Sequence, residues 1–301
     1  MKKKSIVREF SIFKVLAFVF VLVCCLIFLA CLLWAFLTSF KWDVEFHTFG
    51  NILGLPKEGW RFDNWYKTFQ EGIAVDVTVK KAEGLFITET RYIETLFLNS
   101  ILYAVGCTVF SVMCRVVTAY VVAKYTFPGR KVLYTISIVT MILPIVGSMP
   151  SMIRVLNDLG LYDTLAGTIL MNGGFQGLYF LLFYSAFVGV SDTYLEAARI
   201  DGAGHFRVMG QIVMPLVTPT IIAIMVMQFI SFWNGYEQPM VYMPNTPTIS
   251  YGLYRLQQRK GYSETPRQLA GAVMACIPIL IVFIIFRNKI MNNMSIGGIK
   301  G

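Results

Sequence analysis

Charge is scarce in this 301-residue sequence. Only 14% of its residues are Asp, Glu, Lys or Arg, against about 25% in soluble domains. With 56% hydrophobic residues and a mean hydropathy of +0.63, too few polar groups remain to cover a water-soluble globule. That excludes a soluble enzyme and a disordered chain. Histidine is nearly absent: His47 and His205 are the two present, too few for a His-based metal centre or triad. The six cysteines (Cys24, Cys25, Cys31, Cys107, Cys114 and Cys276) fall in apolar runs, without CxxC or Cys/His zinc spacing. They read as small buried hydrophobes rather than as a disulfide scaffold or a metal site. No G-x-x-x-x-G-K-[ST], HExxH or GxSxG occurs, so there is no phosphate cradle, zincin helix or nucleophile elbow.

What is present is a set of long apolar runs, the mark of an all-α polytopic membrane protein. The first, Val15 to Leu37, has no charge and follows five Lys/Arg within residues 1–14. A secretory signal has a similar order, but its apolar core is usually about 7–15 residues with a small-residue cleavage site. This run is read as a retained first helix. Five further spans are expected: Leu96 to Ala123, Val132 to Ile153, Thr164 to Val190, Ile212 to Trp233 and Leu269 to Phe286. Each must be helical, because lipid offers no partner for free backbone N–H and C=O groups. Six transmembrane helices put both termini on one side. If that side is the cytoplasm, pieces 1–14, 124–131, 191–210 and 287–301 hold 13 Lys/Arg in 57 residues, against 12 in 101 for pieces 38–95, 154–163 and 236–268. The roughly twofold bias favours that orientation, and the net charge of +9 then reflects cytoplasmic loops rather than nucleic-acid binding.

The expected organisation is a cytoplasmic N-terminal segment 1–14, a first helix 15–37, an extracytoplasmic segment 38–95, a core 96–290 and a cytoplasmic tail 291–301. Segment 38–95 is too polar for a span and long for a loop, so it is expected to fold on the membrane surface or against a partner. Within the fourth span lies Asn172-Gly173-Gly174-Phe175-Gln176-Gly177. Gly173 and Gly177 make a GxxxG pattern for close helix packing. The stretch also suits a broken helix lining a solute path, with Asn172 and Gln176 as hydrogen-bonding groups. Arg115 is the charge deepest in an apolar run and must face protein or water. No span contains an acid, which leaves a backbone carbonyl or another subunit as its partner.

Between the fourth and fifth spans stands Ser191-Asp192-Thr193-Tyr194-Leu195-Glu196-Ala197-Ala198-Arg199-Ile200-Asp201-Gly202-Ala203-Gly204-His205-Phe206, followed by Arg207 to Pro215. Thr193 and Glu196 fit a capping box opening a short helix. Gly202 or Gly204 can end that helix in the left-handed conformation. A second short helix is expected from about Phe206 to Pro215. Ala197, Ala198 and Ala203 would give this elbow a small-residue surface that another protein could approach. The plain alternative is a connecting loop.

This stretch closely resembles the EAA signature of ABC-transporter permeases: Glu-Ala-Ala, three residues, Gly, nine residues, Ile-x-Leu-Pro. The chain has Glu196-Ala197-Ala198, Gly202, Ile212 and Pro215, with Met214 where Leu is usual. Phe127-Pro128-Gly129-Arg130, Phe232-Trp233-Asn234, Pro278 and the ending Ser295 to Gly301 resemble the sugar-importer subgroup, the MalG-like permeases.

The resemblance implies the type I ABC importer permease fold in a bacterial cytoplasmic membrane. Half of a carbohydrate (oligosaccharide) pathway would be formed here, and the other half by a MalF-like permease. Two ATP-binding-cassette subunits would hydrolyse ATP with Mg. An extracytoplasmic binding protein would deliver solute. The chain itself would then be no enzyme and bind no cofactor. Glu196, Ala197, Ala198, Asp201, Gly202, Ala203 and Gly204 would form the ATPase-coupling site, and Ser295, Ile296, Gly297 and Gly298 a second contact with the ATPase. Asn172, Gln176, Trp233 and Asn234 are the candidate solute-path residues, and Tyr236 and Gln238 also lie where a path could run, though aromatic and amide groups at such positions also serve as interfacial belt or packing. The rivals are a permease of this architecture for a non-sugar solute and an ion-gradient-driven secondary transporter. The latter would be expected to bury acids in its spans.

Overall fold

The computed structural model describes residues 12–47, 50–80, 86–143, 147–258 and 265–294. They form two compact units, one of residues up to 72 with 259–274 and one of residues 73–258 with 275–301.

In the first unit, α1 (Ile12–Thr38) is a 27-residue helix, about 40 Å long at 1.5 Å per residue. Its apolar window has no buried residue, which is how a helix that is apolar all round meets lipid. Two short helices follow, α2 (Asp43–His47) and α3 (Asp63–Lys67), and then a π-helical turn over Thr68–Gly72. The segment folds back on the end of α1. Asn64 Nδ2 donates to the Ser39 and Lys41 carbonyls at 2.9 and 2.8 Å, satisfying groups left open past the helix end. The Phe40 and Trp65 rings stack at 5.6 Å. Lys41 is fully buried. Its Nζ donates to the Asn51 and Ile52 carbonyls at 2.9 and 3.0 Å. Burial pushes its pKa down, and nearby Glu45 partly opposes that shift.

The second unit opens with an antiparallel pair, β1 (Val75–Lys80) and β2 (Phe86–Arg91), in register Val75↔Arg91 to Lys80↔Phe86. This departs from the all-α expectation. The local sequence Val75-Asp76-Val77-Thr78 alternates, and Val75 and Val77 are buried while Asp76 and Thr78 are exposed, the period-two pattern of a half-buried strand. Then comes α4 (Ile93–Lys124), 32 residues without a break. The remaining helices are α5 (Arg130–Ile142), α6 (Ser148–Asp158), α7 (Leu165–Met171), α8 (Leu178–Val188), α9 (Thr193–Ile200), α10 (His205–Arg207), α11 (Met214–Asn234), α12 (Glu237–Tyr242), α13 (Ile249–Gln258) and α14 (Thr265–Met294). Residues of α14 up to 274 belong to the first unit. In the second unit α4 is the central element, packed against α7, α8, α11 and α13. Its core includes Val116, Tyr120, Phe180, Phe183, Phe187 and Val213, all at most 2% exposed.

Six unbroken spans are not what the described residues form. Four helices are each long and apolar enough to cross a membrane: Lys14–Thr38, Ile93–Lys124, His205–Asn234 and Thr265–Asn288. The expected third span is divided into α5 and α6, of 13 and 11 residues, each too short for the roughly 30 Å hydrocarbon core. Leu143, the residue before Pro144, leaves the α region (φ −75°, ψ 118°), as a residue before proline does, and α6 restarts after Gly147 at φ +79°. Pro150 sits in the first turn of α6, where proline is tolerated, and Pro144 itself lies outside the described residues. The expected fourth span is divided into α7 and α8 by the non-helical stretch 172–177. Gly177 has φ +101°, which side-chain-bearing residues rarely adopt. All six cysteines are free thiols, but only Cys107 is buried, while Cys25, Cys31 and Cys276 are exposed. On a lipid-facing helix an apolar thiol needs no protein around it.

Candidate functional site

The stretch from Ser191 to Pro215 folds as two helices meeting at a glycine turn. α8 and α9 meet at a 67° bend. α9 ends where Gly202 takes φ +75°, and its amide and that of Ala203 donate to the Arg199 and Ala198 carbonyls at 3.0 and 2.9 Å. This is the left-handed termination expected of a C′ glycine. The second helix starts at His205 and passes through a π-helical turn, Val208–Val213, into α11, with Pro215 in the first turn of that helix.

The capping box does not form. Asp192, not Thr193, occupies the N-cap, with αR dihedrals and no side-chain cap bond. Ser191 Oγ instead accepts from the Thr193 amide at 3.3 Å. The Asp192 carboxylate is engaged elsewhere: Lys124 Nζ donates to its Oδ1 at 2.7 Å and to the Val190 carbonyl at 2.5 Å. That hydrogen bond, with the lysine's charge, holds the Asp192 carboxyl below its ordinary range.

The alanines do not make one exposed surface. Ala198 is 5% exposed and packs with Leu195 into the core built on α4 and α8. Ala203 is half-buried, and Ala197, Glu196, Asp201, Gly202 and Gly204 are exposed. The helical period decides this. Leu195 and Ala198 are three residues apart and share the inner face, so Ala197 is turned away from them. Two large apolar side chains stand out instead, Ile200 at 87% and Phe206 at 86% exposed, one on each side of the glycine turn. A bare Ile and Phe bracketing a turn was a legible signal in the sequence. Ser295, Ile296, Gly297 and Gly298 lie outside the described residues.

A second polar cluster sits where α7 ends. Asn172 Nδ2 donates to the Thr168 carbonyl at 2.8 Å and to Gln238 Oε1 at 3.1 Å. Tyr103 from α4 donates its hydroxyl to the same Gln238 oxygen at 3.1 Å. Beside the cluster lies a cavity of about 280 Å³ bordered by Tyr103, Phe232, Asn234, Tyr236, Glu237 and Gln238. Asn172 and Asn234 thus come near one site. Gln176 does not join the cluster; its carbonyl accepts from Arg115 Nε at 3.4 Å. Trp233 is 2% exposed and donates Nε1 to the Ala275 carbonyl at 2.9 Å, in the turn ahead of Pro278. Trp233 also borders a cavity of about 190 Å³ with Asn234 and Tyr236. Arg115 also donates to the Ser111 carbonyl at 3.2 Å, so its partners are backbone carbonyls. Gly173 belongs to the close-packing reading: a Cβ there would lie 2.5 Å from Phe110 Cε1. Gln238 was among the residues placed where a path could run, but Tyr103 was outside the expected site; nothing in the spacing pairs two residues 135 apart.

Residues 115–294 match the family model described as "binding-protein-dependent transport system inner membrane component". The chain is 26% identical to the diacetylchitobiose uptake system permease protein NgcG of Streptomyces coelicolor, over 88% of this chain and 82% of that one. It is 24% identical to the arabinooligosaccharides transport system permease protein AraQ of Bacillus subtilis, over 97% and 98% of the two chains. Among solved structures, a chain of a bacterial ABC transporter involved in import of the acidic polysaccharide alginate superposes with a TM-score of 0.74 at 25% identity, over 96% of this chain and 99% of that one.

Proposed function

The chain belongs to the family of binding-protein-dependent transport system inner membrane components, and from that premise we propose that it is a permease subunit of an ATP-driven carbohydrate importer. It forms half of the pathway. Six membrane crossings, two of them made of the broken pairs α5–α6 and α7–α8, place both termini and the elbow on the cytoplasmic side. A second permease supplies the other half. Two ATPase subunits hold the ATP and Mg, and an extracytoplasmic binding protein delivers the solute. Relatives named for diacetylchitobiose and arabinooligosaccharides, and a structural neighbour that imports alginate, support an oligosaccharide as cargo.

One observation carries the coupling assignment: the helix–glycine–helix elbow from Thr193 to Val213 presents Ile200 and Phe206 bare beside Glu196, Asp201 and Gly202. Exposed apolar side chains on a polar turn are what a partner's cleft buries. ATP can bias the permease only through a difference in affinity for its two states, and that difference enters where the two proteins touch. Ala198 works from behind, holding the turn on the core. On the solute side, Asn172, Asn234, Tyr236 and Gln238 offer amide and aromatic groups around the cavity, the chemistry that suits a sugar's hydroxyls and ring faces.

The test is purification through a tag on this chain. An ATPase and a second permease should co-purify, and ATP hydrolysis in proteoliposomes should rise with a binding protein loaded with the right oligosaccharide. A chain that purifies alone, or moves sugar without ATP, removes the reading.

A further inference from the structure

Two adjacent residues at the end of α4 hold both stems of the elbow. Lys124 reaches the stem entering it: its side chain is 3% exposed, and Nζ bonds the Val190 carbonyl and Asp192 Oδ1. Tyr125 reaches the stem leaving it: its hydroxyl lies 2.9 Å from His205 Nδ1. The Arg199 guanidinium stands 6.0 Å over the Tyr125 ring. The turn is thus fixed on either side of Gly202, while Leu195 and Ala198 anchor its middle in the core shared with Val116, Ala119 and Tyr120 of α4.

The three helices that could carry motion away from the elbow differ in stiffness. α8 has 11 residues and is cut off from α7 by the non-helical stretch 172–177. α11 begins in a π-helical turn and has Pro219 inside; both features loosen the i→i−4 ladder. α4 runs 32 residues with neither, about 48 Å at 1.5 Å per residue. On its way it carries Arg115, bonded to the Gln176 carbonyl in that stretch, and Tyr103, bonded to Gln238 at the cavity.

We propose that the elbow and α4 move as one rigid body, that α4 delivers the displacement to the polar cluster at the cavity, and that Lys124 and Tyr125 are the positioning residues that lock the two together. This rests on the coupling role proposed above for the elbow. Displacement of a packed helix by an ångström or two is a common unit of such transitions, and it reaches a distant site only through elements that do not bend.

The experiment uses the full transporter purified from its native membranes, with this chain's six native cysteines replaced. Spin labels are placed at Val121 on α4 and Tyr194 on α9, both exposed. The inter-label distance is measured without nucleotide and with ATP and vanadate. The expected result is one narrow distribution whose centre differs by less than about 2 Å between the two states. A larger change means the elbow pivots on α4 and overturns the proposal. Lys124→Met with Tyr125→Phe should broaden the distribution. It should also cut uptake of diacetylchitobiose, arabinotriose or alginate trisaccharide, whichever the parent complex transports, by about fivefold or more, with the ATPase still co-purifying. Lys124→Arg, which keeps the donors, should restore the narrow distribution. A double variant indistinguishable from the parent in both readouts also overturns the proposal. Loss of the ATPase from the parent complex would instead refute the coupling role itself.

Discussion

Asn172 and Gln238, 66 residues apart in sequence, join side chain to side chain, Nδ2 to Oε1 at 3.1 Å, and Tyr103 donates to the same oxygen at 3.1 Å. One glutamine oxygen therefore ties together the end of α7, the middle of α4 and α12. Gln238→Leu leaves two donors without that acceptor. Asn172 keeps its bond to the Thr168 carbonyl, so the cost should be moderate, about 1–2 kcal/mol. The expected outcome is a complex that assembles, melts a few degrees lower and transports poorly, whereas Trp233→Phe lowers stability with little effect on the sugar concentration for half-maximal uptake. Melting temperature and uptake kinetics in proteoliposomes separate the two.

Ile200 and Phe206 touch little of their own chain, so charging them should leave the fold intact. Ile200→Asp and Phe206→Asp are each expected to alter stability by less than about 0.5 kcal/mol, as exposed substitutions do. ATPase recovered with the tagged chain should fall about tenfold or more, the loss of one interface anchor of at least about 1.4 kcal/mol. Pull-down from detergent-solubilised membranes measures this, and unchanged recovery removes these residues from the contact.

Gly202 works through its backbone. A Cβ there meets nothing within 4 Å, but φ is +75°, a conformation costing an L-residue about 1–2 kcal/mol. Gly202→Ala should therefore weaken the turn without a clash, and Gly202→Asp should add charge beside Asp201. The Ala variant should keep part of its ATPase binding, and Gly202→Asp and Glu196→Lys little. If Gly202→Ala were as damaging as Gly202→Asp, geometry rather than surface chemistry would be the elbow's contribution.

The elbow was legible because its signals are local: a glycine where the chain must turn left-handed, a proline at the start of a helix and fixed spacing between them. The apolar runs were legible for the same reason, since α1, α4, α11 and α14 each show their character over a continuous window. Legibility failed where one signal overrode another. Residues 132–153 and 164–190 have the hydropathy of spans, but the helix stops at the extended Leu143 ahead of Pro144 and again before Gly177 at φ +101°, and hydropathy is blind to backbone angles. Ala198 looked like surface because alanine is small on either face; only Leu195 three residues before it marks the inner side. β1 was passed over because a valine alternation six residues long is weak beside the apolar runs around it. The Asn172–Gln238 pair was beyond reach, as no local period links α7 to α12.

Glu45 gives the first unit a pH dependence of known sign. Burial alone would raise its pKa, but the Lys57 and Glu58 amides, the Asn51 side chain and the Lys41 charge outweigh that and bring it below the ordinary value. Lys57 N–H donates to Oε1 at 2.8 Å and Asn51 Nδ2 at 2.5 Å. With the folded pKa depressed, the unfolded state binds more protons through the acid range. The carboxylate's contribution is then complete above its unfolded value of about 4.3 and lost as pH falls through the folded value. Hydrogen exchange at the amides of Asn51 and Lys57 should accelerate below that range in the parent. In Glu45→Gln it should already be fast near neutrality and respond less to acid.

Gly167 lies one turn into α7, where the chain leaves the loop after α6. Thr164 Oγ1 accepts its amide at 3.0 Å, and the Thr164 hydroxyl donates to the Leu161 carbonyl at 2.7 Å, so loop and helix are drawn tightly together. A Cβ at position 167 would stand 2.2 Å from that same Leu161 carbonyl oxygen. Backbone cannot step aside as a side chain tip can, so even one methyl must push α7 off the loop, at about 1–3 kcal/mol. Gly106→Ala makes the control: its Cβ would meet Ile169 Cδ1 at 2.5 Å, the movable end of a flexible side chain. Gly167→Ala should therefore lower the melting temperature of the complex markedly and Gly106→Ala only slightly. Equal losses would mean that α7 shifts freely over the loop and that Thr164 does not fix where the helix starts.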